Sequence, residues 1–211
     1  MGYLLKITLF FCLVGQGASA SSLIKASHFS FKLDAPMGWS LDTDYNIPPN
    51  KLAIAMPYGQ LIDDCTSVVY VSESNLFFAH QPLEHFIASD LGIQKKRVPD
   101  VILTSRYQLL TSQGLQVPVC TFKGDKGKSH ESVAYIREKD KVILIVLMSV
   151  NEHEMVKALP AFRKIVMSYR KESLSSRMQR IAAQKISLKS SLPEKAKEKK
   201  SKILTKYTGH P

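Results

Sequence analysis

Residues 28–33 alternate in character: Phe29, Phe31 and Leu33 fall on one side of an extended chain, His28, Ser30 and Lys32 on the other. That is the pattern of a strand with one buried face. The stretch DAPMGW (34–39) then turns the chain, Pro36 holding its φ angle and Gly38 supplying permissive backbone. NIPPNK (46–51) reads as a loop, and LAIAM (52–56) and TSVVYVS (66–72) as further strands separated by a turn around Gly59. Pro82 suits a first helical position, and Leu83, Phe86, Ile87 and Leu91 form a helical stripe after it. Gly92 followed by Ile93 predicts a left-handed cap that ends this helix.

From residue 100 to 150 the chain reads as a meander. Two strands flank TSQG (111–114), and a third begins after GDKGKS (124–129). HESVAYIRE leads through a turn at KDK (139–141) into VILIVLMSV (142–150), which is apolar on both faces. A strand of that kind needs cover on both sides, so the sheet is expected to lie between two layers. Asn151 and Glu154 predict a capping box, and Met155, Val156, Leu159, Phe162, Val166 and Tyr169 line one face of the helix that follows. Pro160 falls within that stripe and predicts two consecutive helical pieces.

Three segments accumulate around this order: strand, Pro-x-Gly-Trp turn, strands, helix, meander, helix. FKLDAPMGWSLD (31–42), HESVAYIREKDKVILIVLMSV (130–150) and ALPAFRKIVMSYR (158–170) resemble the PsbP-like superfamily. The likeness is strongest to its small exported bacterial members related to DcrB, and it covers residues 28–170. It implies an α+β fold in which an antiparallel sheet carries helices on both faces, a three-layer α/β/α sandwich. It also implies accessory and binding proteins more than enzymes, and it transfers no catalytic residue. The one tryptophan, Trp39, is expected to close an end of the core.

Charge divides the chain. Residues 21–170 carry 17 Lys+Arg against 15 Asp+Glu, whereas residues 171–211 carry 11 against 3. The basic character therefore belongs to a tail, and the body gives no reason to expect specific nucleic-acid binding. In the tail Leu174, Met178, Ile181 and Leu188 follow helical spacing, with Arg177, Arg180, Lys185 and Lys189 around them. Beyond Pro193 a run containing Lys195, Lys197, Lys199, Lys200 and Lys202 reads as disordered. A basic amphipathic segment of this kind either lies on an anionic membrane surface or docks on the body.

Residues 1–20 read as a signal peptide: Lys6, an apolar core at 7–14, and Ala18-Ser19-Ala20 as the small-x-small site, with cleavage expected between Ala20 and Ser21. The apolar run is shorter than a bilayer span. Phe11 stands where lipidation of Cys12 would require a small residue. The expected organisation is thus a leader at 1–20, a globular domain at 21–170 and a basic tail at 171–211. The expected location is periplasmic or secreted, with an unidentified envelope or secreted partner. In that compartment Cys65 and Cys120, the pair left after cleavage, are expected to form a disulfide, with two separately buried thiols as the alternative.

Other candidate chemistry is thin. His80 and His85 are five apart, not at the four-residue spacing of a helical zinc pair, and no carboxylate or cysteine cluster completes them. NEHEM (151–155) lacks the second histidine of H-E-x-x-H, since position 157 is Lys. Asp63 and Asp64 read as solvated loop carboxylates. Gly127-Lys128-Ser129 lacks the upstream glycine of a phosphate loop, because position 122 is Phe. No cofactor, metal site or catalytic residue is expected. The expected function is a non-catalytic binding or accessory role. A tail-anchored peripheral protein is the first alternative and a hydrolase or metal-dependent enzyme the second.

Overall fold

The computed structural model describes residues 21–44, 51–76, 80–124 and 129–191. The leader, the 46–50 part of the NIPPNK loop, most of the GDKGKS turn and the lysine run after Pro193 lie outside them. Among the described residues ten strands and three α-helices follow one another as β1 (Ser21–Lys25), β2 (Ser30–Asp34), β3 (Trp39–Asp42), β4 (Lys51–Pro57), β5 (Ser67–Asn75), α1 (Leu83–Arg97), β6 (Ile102–Leu110), β7 (Gln116–Gly124), β8 (Ser129–Glu138), β9 (Lys141–Ser149), α2 (Glu152–Met167), β10 (Arg170–Lys171) and α3 (Leu174–Ser191). A 3-10 turn, Ile62–Asp64, precedes β5.

Seven strands make the main sheet in the order β3-β4-β5-β9-β8-β7-β6, and each pairing within it is antiparallel. The apolar strand β9 lies at its centre, between β5 and β8. Both of its faces are covered. On one, Ile143, Ile145 and Leu147 share a core with Met155, Phe162, Ile165 and Val166 of α2. On the other, Val142 and Val146 share a second core with Phe86 and Ile87 of α1. The layered α+β architecture expected from β9 is the one observed.

The cover on the α2 side is not helix alone. A small sheet ordered β1-β2-β10 lies there, and Ile24, Phe31 and Leu33, each 0% exposed, enter the same core. The sequence pattern missed β1: its five residues SSLIK contain a single buried side chain, too few to show a period. Arg170 grips Asp34 at the end of β2 with two parallel hydrogen bonds of 2.6 and 2.7 Å and donates a third to the Ser21 hydroxyl at 3.1 Å.

The Arg170 hydrogen bonds hold the Asp34 carboxyl below its ordinary pKa, against a smaller opposing effect of burial. A carboxyl depressed in the folded state contributes stability above its unfolded pKa and loses it as pH falls through the lower folded value. Replacing Arg170 with alanine is therefore expected to flatten the acid limb of the stability curve below about pH 4. Urea melts of both proteins between neutral and acidic pH test this. Parallel acid limbs refute the pairing.

Two helix expectations need correction. Helix α1 does not end at Gly92 but runs on to Arg97, and Pro82 is its N-cap and not its first residue. An interior glycine costs only about 1 kcal/mol, and Lys95, Lys96 and Arg97 in the last turn favour the negative end of the helix dipole. Helix α2 is one piece despite Pro160. Pro160 and Val156 are both exposed, so the carbonyl deprived of its helical donor is on the solvent side. The buried face of α2 holds the two turns in register. Its start follows expectation in part: the Asn151 side chain accepts from the Glu154 N–H at 2.9 Å. The Glu154 carboxylate, however, accepts from the Thr66 hydroxyl and from Lys157, each at 2.8 Å.

Gly38 adopts φ +83°, the left-handed backbone its turn requires. Trp39 then packs half-buried against the α2-side core, as its position after the turn suggested. The described residues divide after Arg170 into two compact units, and α3 belongs to the second.

Candidate functional site

Alternation along β8 puts Glu131, Val133 and Tyr135 on the α1 face of the sheet. Cross-strand registers extend that face sideways: Val68, Met148, Glu131 and Phe122 form one row, and Tyr70, Val146, Val133 and Cys120 the next. Above them α1 presents Phe86 and Ile87, then Asp90 three to four residues on and Gln94 four beyond that. Between helix and sheet lies a cavity of about 270 Å³ lined by Tyr70, Ser72, Asp90, Glu131, Val133 and Leu144 among others. One end is closed by an unusually near approach. A Cβ on Gly124 would stand 2.9 Å from Val98 Cγ1 and 3.3 Å from the Val101 backbone, so only glycine fits where β7 meets the segment after α1.

The polar groups here are unequal in their partners. Asp90 accepts a hydrogen bond from the Tyr135 hydroxyl at 2.8 Å. Glu131 receives no side-chain hydrogen bond from the described residues. Burial pushes both carboxyls above the ordinary carboxylate range. For Glu131 the Asp90 charge adds to the rise and Lys51 opposes it, whereas for Asp90 the Tyr135 hydrogen bond and Arg97 oppose it. Lys51 reaches over the Tyr70 ring with its Nζ 3.4 Å from the centroid, and burial pulls its own pKa down. The phenols of Tyr70 and Tyr135 are raised, chiefly by burial and then by the neighbouring carboxylates.

Neither acid was singled out from sequence, yet both carried a signal. Asp90 follows Phe86 by four and Ile87 by three, which places it on the buried stripe of α1. Glu131 shares a strand face with Val133 and Tyr135, a face that β9 required to be covered.

The cysteines do not pair. Cys65 and Cys120 are free thiols, which corrects the expected disulfide. Cys65 stands just before β5, while Cys120 is on β7, with β9 and β8 between. Three strand spacings of about 4.8 Å separate them by roughly 14 Å, twice the reach of a disulfide between Cα atoms. Cys120 is fully buried in the α1-side core, and burial raises both thiols, so neither is poised as a thiolate.

Ser21, the expected mature terminus, begins β1, and Ala20 lies outside the described residues. In the tail, Arg177 and Lys185 are exposed on α3, while Arg180 is held by Glu172 through two contacts of 3.1 Å. Lys189 belongs to α3, and Lys195, Lys197, Lys199, Lys200 and Lys202 lie beyond the described residues. Asp63 and Asp64 sit in the 3-10 turn, and His153 is 4.0 Å from Glu154. No cluster of three metal-ligating side chains occurs among the described residues.

No protein-family model and no curated protein matches the chain. Solved structures do. Cyanobacterial PsbP (CyanoP) from Synechocystis sp. PCC 6803 superposes with a TM-score of 0.50 at 14% identity, covering 75% of this chain and 96% of that one. The Ran-binding protein Mog1p of Saccharomyces cerevisiae gives 0.45 at 12%, covering 72% and 96%. The protein of unknown function PA94 from Pseudomonas aeruginosa, a putative regulator, gives 0.44 at 11%, covering 72% and 98%. With the seven-stranded antiparallel sheet, its two covered faces and the match to CyanoP together, the chain has the PsbP-like fold.

Proposed function

We propose that the protein is an exported envelope protein that works by binding, and that the cavity between α1 and the sheet is where it holds a small ligand. The observation that carries this is Glu131: a half-buried carboxylate facing a cavity with no hydrogen-bond donor from the described residues. Half-withdrawn from water, such a carboxylate gains more from a donor or cation than an exposed one does. A cavity of about 270 Å³ lies just under the range of ordinary ligand sites, which run from about 300 Å³ upward, and so suits a small ligand. The leader pattern at 1–20 supports export. Catalysis is the weaker reading. Two raised carboxyls meet one requirement of acid–base chemistry, but the lining contributes no histidine, and Cys120 lies buried within the core.

The test is a thermal-shift screen of small polar compounds against the full chain and against Ser72→Trp, which fills the cavity from β5. A ligand at a hundred times its Kd stabilises by about 2.7 kcal/mol, a shift of several degrees. Stabilising compounds that lose their effect on Ser72→Trp support the proposal. A screen without any, or one indifferent to the substitution, refutes it.

A second reading rests on α3. Met178 is 66% and Ile186 70% exposed on a helix that also exposes Arg177 and Lys185. Apolar and cationic side chains left exposed together on one helix are the means by which a protein lies on an anionic membrane.

A further inference from the structure

We infer that the cavity under α1 takes a small organic ammonium ion, its charge against Glu131 and Asp90 and its hydrocarbon against Val133, Leu144 and Val146. This rests on the cavity being a ligand site and adds the chemistry of the ligand.

The argument starts from charge. Two carboxylates from different elements, α1 and β8, face one cavity, whose remaining walls mix apolar side chains (Val133, Leu144 and Val146 among them) with Tyr70, Ser72, Gln94 and the single cation Arg97. Asp90 raises Glu131's cost of ionising, but at both acids withdrawal from water is the largest effect. The cations nearby offset it only in part: Lys51 acts against the rise at Glu131 and Arg97 against that at Asp90. Lys51, on β4, is engaged by the Tyr70 ring, and burial disfavours its charged form. Arg97 is exposed at the end of α1. Asp90 already has the Tyr135 hydroxyl, so Glu131 is the carboxylate with no side-chain hydrogen bond from the described residues and with room to accept one from a ligand.

An ammonium group supplies three N–H donors and one positive charge. It satisfies Glu131 and offsets the repulsion from Asp90 in one step. A bare divalent cation fits less well: Ca²⁺ takes six to eight oxygen ligands, and the described residues offer no third acidic or imidazole group here. An anion would meet two carboxylates.

Binding should also depend on pH. The charged and titratable groups around Glu131 are Asp90 and Arg97 from α1, Lys51 from β4, Tyr70 from β5 and Tyr135 from its own strand, while β7 presents Phe122. The ammonium ion needs Glu131 ionised, and Glu131 ionises above the ordinary carboxylate range. Affinity is therefore expected to fall as pH drops through mildly acidic values, with proton uptake when the ligand leaves.

The experiment titrates the full chain with benzylamine, with benzyl alcohol as its neutral counterpart and with benzoate, by NMR or calorimetry. Benzylamine is expected to bind about tenfold tighter than the alcohol, the difference a charge-assisted hydrogen bond provides. Glu131→Gln should erase that difference. Lys51→Met should enlarge it, because a competing cation is gone. A purely structural role for either residue would not move affinity in opposite directions. Benzylamine binding no tighter than the alcohol, or benzoate binding tighter, overturns the inference and leaves the ligand site standing. If none of the three binds saturably, both readings fall. Should Glu131→Gln not fold, Lys51→Met and the amine-to-alcohol ratio still decide.

Discussion

Phe162→Ala is expected to cost about 3–5 kcal/mol of stability, a large share of the roughly 5–15 kcal/mol available to a domain. The ring comes from the middle of α2 and is 0% exposed. It belongs to the core that joins three groups of elements: the small sheet through Phe31 and Leu33, the centre of the main sheet through Val69 and Ile145, and α2 itself. Truncation leaves a cavity that none of these layers can close alone, because each is pinned by the other two. Val156→Ala is the control. It is on the same helix but 61% exposed, and it should change stability by about 0.5 kcal/mol or less. Phe86→Ala samples the opposite face, where the ring packs edge-on to Tyr135 at 6.3 Å between centroids. It should also destabilise by kilocalories. Denaturant melts of the three variants give the answer. If Phe86→Ala is as silent as Val156→Ala, the α1 layer is not a core and the sheet has a weak face.

That both faces count was legible in nine residues. VILIVLMSV has apolar side chains at odd and even positions, and only a strand covered on both sides tolerates that. The cap at Asn151 and the backbone demand at Gly38 were equally local, because each rests on chemistry within a few residues of itself. What sequence hid was decided at a distance. Pro160 would break an isolated helix, but burial of Met155, Phe162, Ile165 and Val166 outweighs one lost hydrogen bond. Cys65 and Cys120 look like a pair only until the topology inserts β9 and β8 between their strands. The cavity was half legible. Asp90 and Glu131 each interrupt a buried periodicity, but that the two interruptions face one another depends on which strand α1 crosses. Neither period contains that information.

The basic tail should bind anionic vesicles steeply and release them with salt. Residues 171–211 carry a net charge of +8, from 11 Lys+Arg against 3 Glu, and each cation near such a surface is worth about 1 kcal/mol before screening. Arg180 should contribute less than the others because Glu172 already holds it. Phosphatidylserine vesicles are expected to sediment the full chain at about 0.1 M salt, where the Debye length is roughly 10 Å, and to lose it toward 1 M, where it is roughly 3 Å. Phosphatidylcholine vesicles should not. A residue of binding that survives salt should come from Met178 and Ile186, since apolar burial is not screened, and Met178→Asp with Ile186→Asp should remove it. A chain ending at Ser173, which keeps Arg170 and its grip on Asp34, should unfold as cooperatively as the full chain and ignore vesicles at every salt concentration. If that shortened chain sediments equally well, the membrane contact lies elsewhere. If it does not fold, α3 is part of the domain's core and not a free surface helix.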